Sequence, residues 1–442
     1  MASPTVLDSA PAAQTAPPSW SLPVRVAFRF CVVYFTAFCL TNQVLPMLLA
    51  LPDNDSISLA FLPPIRPIVF WVAAHLFHAK LPLVTAGSGS GDKTFDWVLT
   101  FCLLVFAVAA TALWSFLDRR RRAYPALFRW FWLFFSFCLA SQMFGYGFAK
   151  AVPLQMPFPS LSRLLEPFGH FSPMGVLWYS VGAAPAYEIF AGCAEILSGI
   201  LILIPRTRSL GALFCLADSA YIFTLNMTYD VPVKLFAFHL ILLSLVVLAP
   251  DLPRLADLFF LNRPTTPRPA APLFRSRRAN RIAVPLLALF ALLLFASNLN
   301  GAREEWYQFG GGAPKPALYG IWTIDQYTLD GQPRPPLLTD RDRPRYLLFD
   351  RMNSVSFVHM DDTRDYYRGV FDLAKDRLSL STYGGKSQPS ILTFTRPAPD
   401  RLTLDGALNG HKVHIDLHAV DLRSFLLVTR GFHWVQEYPF NR

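Results

Sequence analysis

The sequence predicts an α-helical integral membrane bundle followed by an all-β domain, and three observations carry this prediction. First, 53% of the 442 residues are hydrophobic and only 16% are charged, whereas about 25% of an average soluble chain is charged. Second, the apolar residues fall in long blocks, which a membrane span requires and a soluble globule does not. Third, residues 301–442 alternate apolar and polar side chains in short runs between turn residues, which is typical of β-strands.

Seven apolar blocks are long enough to cross a bilayer, for which about 20 predominantly apolar residues are needed. The predicted spans are 25–51, 95–117, 127–149, 175–204, 208–227, 232–250 and 282–299. Residues 1–22 are rich in Ala, Pro, Ser and Thr and lack a basic stretch, so we predict a disordered tail and no signal peptide. Residues 65–86 are apolar but include Arg66 and Lys80, and we predict an interfacial or re-entrant segment there.

Basic loops predict the orientation of the spans. Arginines cluster at 119–122, at 206–208 and throughout 251–281, and an even number of predicted spans separates each cluster from the next. Because short loops rich in Lys and Arg stay in the cytoplasm, we expect a cytoplasmic N-terminus and a final domain in the periplasm or outside the cell. The formal net charge of +10 therefore reflects membrane topology and not affinity for nucleic acid.

Spans and loops divide the chain into successive regions. After the tail come an N-terminal transmembrane region at 23–125, a membrane core at 126–262, a basic cytoplasmic loop at 263–281, a last transmembrane helix at 282–300, a glycine-containing linker at 301–316 and a β domain at 317–442. About nine strands, the last at 424–429, are expected to close into a small barrel. The opening Gly320-Ile321-Trp322 resembles the start of lipocalin-like barrels.

Residue types that bind metals occur in the β domain, where His414, Asp416 and His418 share one face of a predicted strand. The opposite face carries only apolar residues, so we predict a solvated face of a half-buried strand and no metal site. The six cysteines all lie in apolar blocks without metal-binding spacing, and we predict that they are small buried hydrophobes.

Ionisable side chains within the apolar blocks mark either function or structural pairs, because they are costly in hydrocarbon. At about 1.5 Å per helical residue, Glu195, Asp218 and His239 lie near the midplane and Glu188 and Lys234 nearer the outer face. One hypothesis gives the midplane residues a catalytic role as a proton relay, since a histidine between carboxylates titrates near neutral pH. The alternative is that they only join the helices by hydrogen bonds.

The end of the third predicted span offers two further binding residues, Tyr146 and Lys150. A lysine at a helix end commonly extends to the membrane surface, but a lysine that faces a pocket holds an anionic group. With Glu188 and Lys234, these residues are the candidate ligand-binding side chains. In this hypothesis Lys150 and Lys234 lie at the outer opening of a ligand site among the helices.

Five stretches of sequence around these residues together form a pattern that is found in a known protein family. They are YGFAKAVPLQMPFPSL at 146–161, SPMGVLWYS at 172–180, YEIFAGCAEILSGILILIPRTRSLGAL at 187–213, YDVPVKLFAFHL at 229–240 and LAPDLPRL at 248–255. Gly147 and Lys150 form a Gly-x-x-Lys helix end. A helix with a glutamate and small residues then precedes an Arg-rich turn, as Glu195, Ser198, Gly199, Arg206 and Arg208 show.

This pattern resembles the DoxX family of small bacterial membrane proteins. The resemblance implies a four-helix membrane core, here the third to sixth spans, and a link to redox or thiol stress. Named members of the family include subunits of a thiosulfate:quinone oxidoreductase. Together with 32 arginines against 8 lysines, the resemblance points to a bacterium and hence to its inner membrane.

Three function classes follow from these observations. The first is a redox-associated membrane protein that binds a quinone-like or other hydrophobic ligand in the helical core, alone or as a subunit of a membrane oxidoreductase. The alternative is a non-catalytic envelope or assembly protein whose outer β-barrel binds a lipid, a peptide or a partner subunit. The third, a membrane carboxylase-like enzyme, rests on the general layout alone. A cavity at the polar groups would favour the first class, whereas a barrel filled by apolar side chains would argue against a ligand in its lumen.

Overall fold

The computed structural model describes residues 19–49, 58–266, 272–383 and 388–441. The chain divides into two compact units. The first unit comprises Met1–Gly147 and Ala194–Asn298, and the second comprises Phe148–Cys193 and Leu299–Arg442. Most of the predicted tail, and the last two residues of the first predicted span, lie outside the described residues.

Helices account for most of the chain before the β domain. In order they are α1 (Leu22–Thr41), α2 (Val44–Leu48), α3 (Ile65–His75), α4 (Thr94–Leu117), α5 (Pro125–Ala151), α6 (Leu161–Leu164), α7 (Pro173–Gly182), α8 (Pro185–Leu203), α9 (Arg208–Thr228), α10 (Lys234–Leu248), α11 (Leu252–Phe259) and α12 (Arg277–Gln308). Within the described ranges, seven helical segments are long and apolar enough to cross a membrane: α1, α4, α5, α8, α9, α12, and α10 with its continuation to Phe259. The prediction of a multi-pass helical bundle is confirmed at this level.

Several helices differ in detail from the prediction: α1 ends at Thr41 within the first predicted span, and α12 continues to Gln308, into the predicted linker 301–316. The fourth predicted span, 175–204, forms two helices, because Pro185 lacks the N–H that would continue the preceding helix and restricts Ala184 before it. The segment 65–86 contains α3, an apolar helix of 11 residues. At about 1.5 Å per residue α3 is too short to cross a hydrocarbon core of about 30 Å by itself.

Side-chain contacts show that α1 and α5 run side by side in the same direction. The rings of Phe35 and Phe135 lie 6.2 Å apart. Further along both helices, Gln43, just beyond α1, contacts Gln142 at 3.4 Å. The residue numbers of the two helices rise together, as they must when a chain crosses at α1, returns through α4 and crosses again at α5.

A buried arginine ties the start of α1 to the loop between α4 and α5. Arg29 is 1% exposed, and its guanidinium donates to the Tyr124 hydroxyl (2.7 and 3.0 Å), to Ser115 Oγ (2.9 Å) and to the Asp118 carbonyl oxygen (2.9 Å). The Tyr124 hydroxyl donates in turn to the Asp118 carboxylate at 2.8 Å. The sequence analysis singled out none of these residues.

Residues 320–419 form an antiparallel barrel. The strands are β1 (Gly320–Leu329), β2 (Gln332–Pro333), β3 (Pro344–Arg351), β4 (Ser354–His359), β5 (Arg364–Asp372), β6 (Arg377–Thr382), β7 (Ser390–Ala398), β8 (Arg401–Leu408) and β9 (His411–Ala419). In this described region β1 pairs with both β3 and β9, which closes eight strands into a barrel, while β2 pairs only with β1. The predicted barrel is thus confirmed, but the predicted strand 424–429 is wrong, since helix α13 (Leu426–Thr429) occupies it.

Two hairpins of the barrel show why the chain turns where it does. Asp330-Gly331 joins β1 to β2 and Asn409-Gly410 joins β8 to β9, and all four residues have φ between 50° and 89°. A two-residue loop with positive φ at both positions matches the twist of antiparallel strands, and Asp-Gly and Asn-Gly adopt it most readily. These turns set the register of the strands on either side.

The interior of the barrel is filled by apolar side chains. Leu347, Phe349, Leu378, Leu392 and Ile415 are all 0% exposed and belong to one core cluster. Such packing argues against a ligand in the lumen. A polar cavity of about 430 Å³ lies instead at one end of the barrel, next to Tyr367, Ser390 and Asn409.

The histidines of β9 pair with carboxylates on the outer surface of the barrel. His414 Nδ1 donates to Asp405 at 2.7 Å, and His418 Nδ1 donates to Asp325 at 2.7 Å. Val413, Ile415 and Leu417 on the opposite face are buried in the core. The strand therefore has one polar and one apolar face, in agreement with the alternation in its sequence.

The His414 pair makes the barrel slightly more stable at acidic pH. The hydrogen bond to Asp405 raises the pKa of His414, so its stabilisation is complete below the unfolded pKa of about 6.5 and is lost as the pH rises through the folded pKa. Because the pair is largely exposed, we expect a change below about 1 kcal/mol. Amide hydrogen exchange in β8 and β9, corrected for intrinsic rates, measures it. The same pH dependence in His414→Gln would contradict this assignment.

The barrel packs against the segment between α5 and α7, within the second unit. Leu161 is buried in a cluster with Ile321, Leu348 and Val358 of the barrel. Asp350 accepts a hydrogen bond from the Leu161 backbone N–H at 3.4 Å, and burial raises the pKa of Asp350. The β domain is thus attached to a connection between membrane-spanning helices.

Candidate functional site

A cleft of about 280 Å³ opens in the first unit, where α1 ends and α4 and α10 begin. Polar residues that follow α1, the glycine- and serine-rich segment 85–91 and several aromatic rings line it. Its lining side chains include Gln43, Lys93, Phe95, Tyr146 and Phe236. The cleft therefore combines hydrogen-bonding groups with flat apolar walls.

Gln43 organises the polar side of the cleft. The chain leaves the helical conformation at Asn42, which is extended (φ −120°, ψ −178°), and Gln43 then turns toward α5. Its amide Nε2 donates to the Tyr146 hydroxyl at 2.7 Å. Tyr146 also interacts electrostatically with Glu195, so the structure brings together two of the side chains that the sequence proposed.

The glycine-rich segment beside the cleft is fixed to the start of α10. Gly87 and Gly89 have φ of +74° and +71°, a region that glycine adopts at little cost. Asp92 accepts the backbone N–H groups of Lys234 and Leu235, each at 2.9 Å. A carboxylate at this position satisfies unpaired donors and complements the helix dipole, so the segment has a defined place at the edge of the cleft.

Lys234 lies in ion pairs next to this segment. Its Nζ is 2.9 Å from the Asp230 carboxylate and 3.8 Å from that of Asp92. Lys93, which does line the cleft, is 2.9 Å from the Asp96 carboxylate. The positive charge of each lysine is therefore balanced by a neighbouring carboxylate, and these ion pairs hold both ammonium groups in place.

His239 is held in a separate set of contacts. Its Nε2 is 2.8 Å from the Tyr34 hydroxyl and its Nδ1 is 2.7 Å from the Leu235 carbonyl oxygen, and Phe38 stacks on the ring at 3.9 Å. Because a carbonyl only accepts, Nδ1 carries the proton and Nε2 of the neutral ring accepts from Tyr34. Within the described residues neither nitrogen bonds to a carboxylate.

Glu195 and Asp218 meet around Cys215 in the core of the first unit. Both carboxylates interact electrostatically with the Cys215 thiol, and Ser244 Oγ donates to its sulfur at 3.2 Å. Glu195 is 1% exposed, whereas Asp218 is half-buried. Of the three residues proposed as a relay, Glu195 and Asp218 thus both act electrostatically on Cys215, whereas His239 Nε2 lies 2.8 Å from the Tyr34 hydroxyl.

Lys150 and Glu188 are neighbours in the second unit, and both are buried. Glu188 Oε1 accepts the Met156 backbone N–H at 2.9 Å, and Lys150 interacts electrostatically with the same carboxylate. Glu188 Oε2 is buried without a hydrogen-bond partner among the described residues. Their role in ligand binding stays a prediction.

Tyr34 and Gln43 are among the functional residues that were not predicted from the sequence. Both are polar side chains in the first apolar block, and that position was the only signal available for them. Their roles depend on the helix that each side chain contacts, which is α10 for Tyr34 and α5 for Gln43.

Comparison with known proteins places the chain in a family. No profile of a known protein family matches it. It is similar to the uncharacterized protein YwoB of Bacillus subtilis (strain 168), with 32% identity over 139 residues, which are 31% of this chain and 84% of that protein. The chain belongs to the YwoB family. No solved structure matches this YwoB-family chain.

Proposed function

We propose that this YwoB-family protein is redox-associated and binds a quinone-like or other hydrophobic ligand in the cleft beside Gln43 and Tyr146. The observation that carries the proposal is the cleft itself. Amide and hydroxyl side chains line it together with Phe95 and Phe236, a combination that suits a flat ring with carbonyl groups. Its volume of about 280 Å³ is close to the lower limit of about 300 Å³ for small-molecule sites, so a ring headgroup fits and a long tail extends into lipid.

Of the three residues proposed as a relay, Glu195 is the one that interacts electrostatically with a lining residue of the cleft, Tyr146, and it is the proposed proton-exchanging group. Asp218 would extend this path through the polar surroundings of Cys215. His239 approaches the cleft by another route, since Phe38 stacks on both His239 and Phe236. Reduction of a quinone consumes electrons as well as protons, and a partner subunit of the kind that the DoxX resemblance implies would supply the electrons.

The same proposal includes the location of the protein. We infer a bacterial inner membrane, a DoxX-like core of α5, α8, α9 and α10, and a lipocalin-like barrel on the outer side. The Arg-rich loops at 119–122, 206–208 and 251–281 support a cytoplasmic position for the ends of the helices that they join. The cleft, at the far end of α1, then opens toward the outer face.

Mass spectrometry of solvent extracts tests this function. We expect a quinone in the purified native protein and about tenfold less in Gln43→Leu/Tyr146→Phe, since each lost hydrogen bond costs about 1 kcal/mol. Tyr221→Phe removes a hydroxyl from an exposed position on α9 outside the cleft lining, and serves as the matched control. Background quinone in the native protein, or equal amounts in all variants, would contradict the proposal.

The filled barrel favours a second candidate function, a non-catalytic envelope or assembly role. A barrel with a packed interior presents rigid surfaces rather than a lumen, and the polar cavity beside Tyr367 and Asn409 offers a place for a peptide or partner subunit. In that case substitution of Asn409 and Tyr367 would impair assembly, whereas the Gln43 and Tyr146 variants would leave it intact.

A further inference from the structure

An aromatic-rich segment after the barrel exposes large apolar side chains. Phe432 is 77% exposed, Trp434 92% and Tyr438 84%, and Leu426 and Leu427 before them are each at least 50% exposed. Contiguous exposed apolar surface of this kind marks a site of contact with a membrane or another protein. We call residues 426–441 the aromatic segment.

The aromatic segment begins at the place where the barrel meets the helical connection. Phe425, the residue before it, packs against the cluster that contains Leu161, and Leu164 and Leu165 of the same connection border that cluster. This connection links α5, which ends at Ala151, to α7 and α8, and both α5 and α8 are long and apolar enough to span the membrane. The segment therefore leaves the barrel next to a loop whose two ends lead into helices long and apolar enough to span a membrane.

Other exposed aromatics on the same loop agree with this position. Phe168 is 73% exposed and Phe158 is 43% exposed, and both lie between the end of α5 and the start of α7. Aromatic side chains on a loop that connects two membrane spans can contact the headgroup layer of the bilayer. Two separate parts of the second unit thus present aromatic rings near the ends of membrane spans.

The residue types of the aromatic segment suit the boundary between lipid headgroups and acyl chains. Tryptophan and tyrosine prefer this layer because each has an apolar ring and a polar group that stays hydrated. Arg430 lies over the ring of Phe440 at 4.7 Å, and the rings of Phe432 and Trp434 make an edge contact at 4.9 Å. The segment has a positively charged guanidinium for lipid phosphates but no buried core of its own.

We propose that the aromatic segment is a membrane-interface anchor that places Phe432, Trp434 and Tyr438 in the headgroup layer of the bilayer that the helices cross. Its occupant is phospholipid, because the chain already holds the start of the segment beside a membrane loop and binding requires no additional partner. The anchor fixes the barrel at two points, at Leu161 and at the aromatic segment. It is independent of any ligand in the helical cleft.

Lipid photolabelling of the full-length protein in nanodiscs tests the anchor. The nanodiscs contain phosphatidylcholine, phosphatidylglycerol and a phospholipid with a diazirine near its headgroup. After irradiation and trypsin digestion, label on peptide 431–442 is compared with label on the β8 peptide 402–412. We expect roughly tenfold more label on the first peptide, because an interfacial segment contacts lipid continuously.

Two variants make the result decisive. Phe432→Ser/Trp434→Ser/Tyr438→Ser is expected to lose most of the label on 431–442 and the protection of this segment from hydrogen exchange. Leu338→Ser/Met352→Ser/Leu373→Ser, which alters three exposed apolar residues on other barrel loops, should change neither. Equal label on both peptides would overturn the proposal. Protection seen only in native membranes, and not in nanodiscs, would assign the segment to a protein partner and would overturn it as well.

Discussion

Trp322→Ala is expected to lower the free energy of unfolding of the barrel by about 3–5 kcal/mol. Trp322 is 2% exposed and lies in the apolar core that fills the barrel. Removing the indole leaves a cavity that the closed ring of strands cannot collapse to fill. It also removes the N–H that donates to the Leu318 carbonyl oxygen at 2.9 Å, so a buried acceptor loses its partner.

A second substitution separates the cavity from the lost hydrogen bond. Trp322→Phe retains much of the ring and loses the donor, so we expect a cost of about 1–3 kcal/mol. Amide hydrogen exchange in β1, β3 and β9 of the full-length protein measures both values. Tyr383→Ala truncates an exposed ring and should cost less than about 0.5 kcal/mol. Equal losses for Trp322→Ala and Tyr383→Ala would show that Trp322 does not belong to the core.

The parts of the fold that the sequence predicts well are those set by local periodicity. The expected span 95–117 is α4 (Thr94–Leu117), and the expected β domain at 317–442 contains the barrel strands β1 to β9. The errors arise where another constraint prevails. Pro185 divides an apolar block into two helices. The run 424–429 alternates like a strand but lies beyond β9, and β9 has already paired with β8 and β1, so no edge is left for it.

The pairing of the candidate site residues was not predictable from the sequence. Distance along a helix gives the expected height of a residue in the membrane, and the structure shows that Glu195 and His239 are buried. The distance does not give the direction in which each side chain points. Tyr34 and His239 are 205 residues apart in the chain, and only the packing of α1 against α10 brings them together. The same holds for Gln43 and Tyr146 at the cleft.

Arg29→Met is expected to lower the free energy of unfolding of the first unit by about 3 kcal/mol. The arginine is 1% exposed, and hydrogen bonds from a charged donor are worth about 1.5–3 kcal/mol each without being additive. Methionine fills a similar volume but leaves Ser115 Oγ and the Asp118 carbonyl oxygen without their donor. The start of α1 then loses its attachment to the α4–α5 loop.

The cysteines of the chain provide the measurement. Cys39, Cys138 and Cys215 are buried, whereas Cys193 is exposed, and no cysteine follows residue 215, so labelling of the three buried thiols by a thiol-reactive dye, followed peptide by peptide, reports the unfolding of the helices without a signal from the barrel. Arg25→Met is the matched control, because Arg25 lies one turn earlier on α1, is only half-buried and, among the described residues, donates one side-chain bond, to the Arg121 carbonyl oxygen. We expect it to cost less than about 1 kcal/mol. If both variants unfold alike, charge near the membrane surface stabilises α1, and the buried network around Arg29 does not.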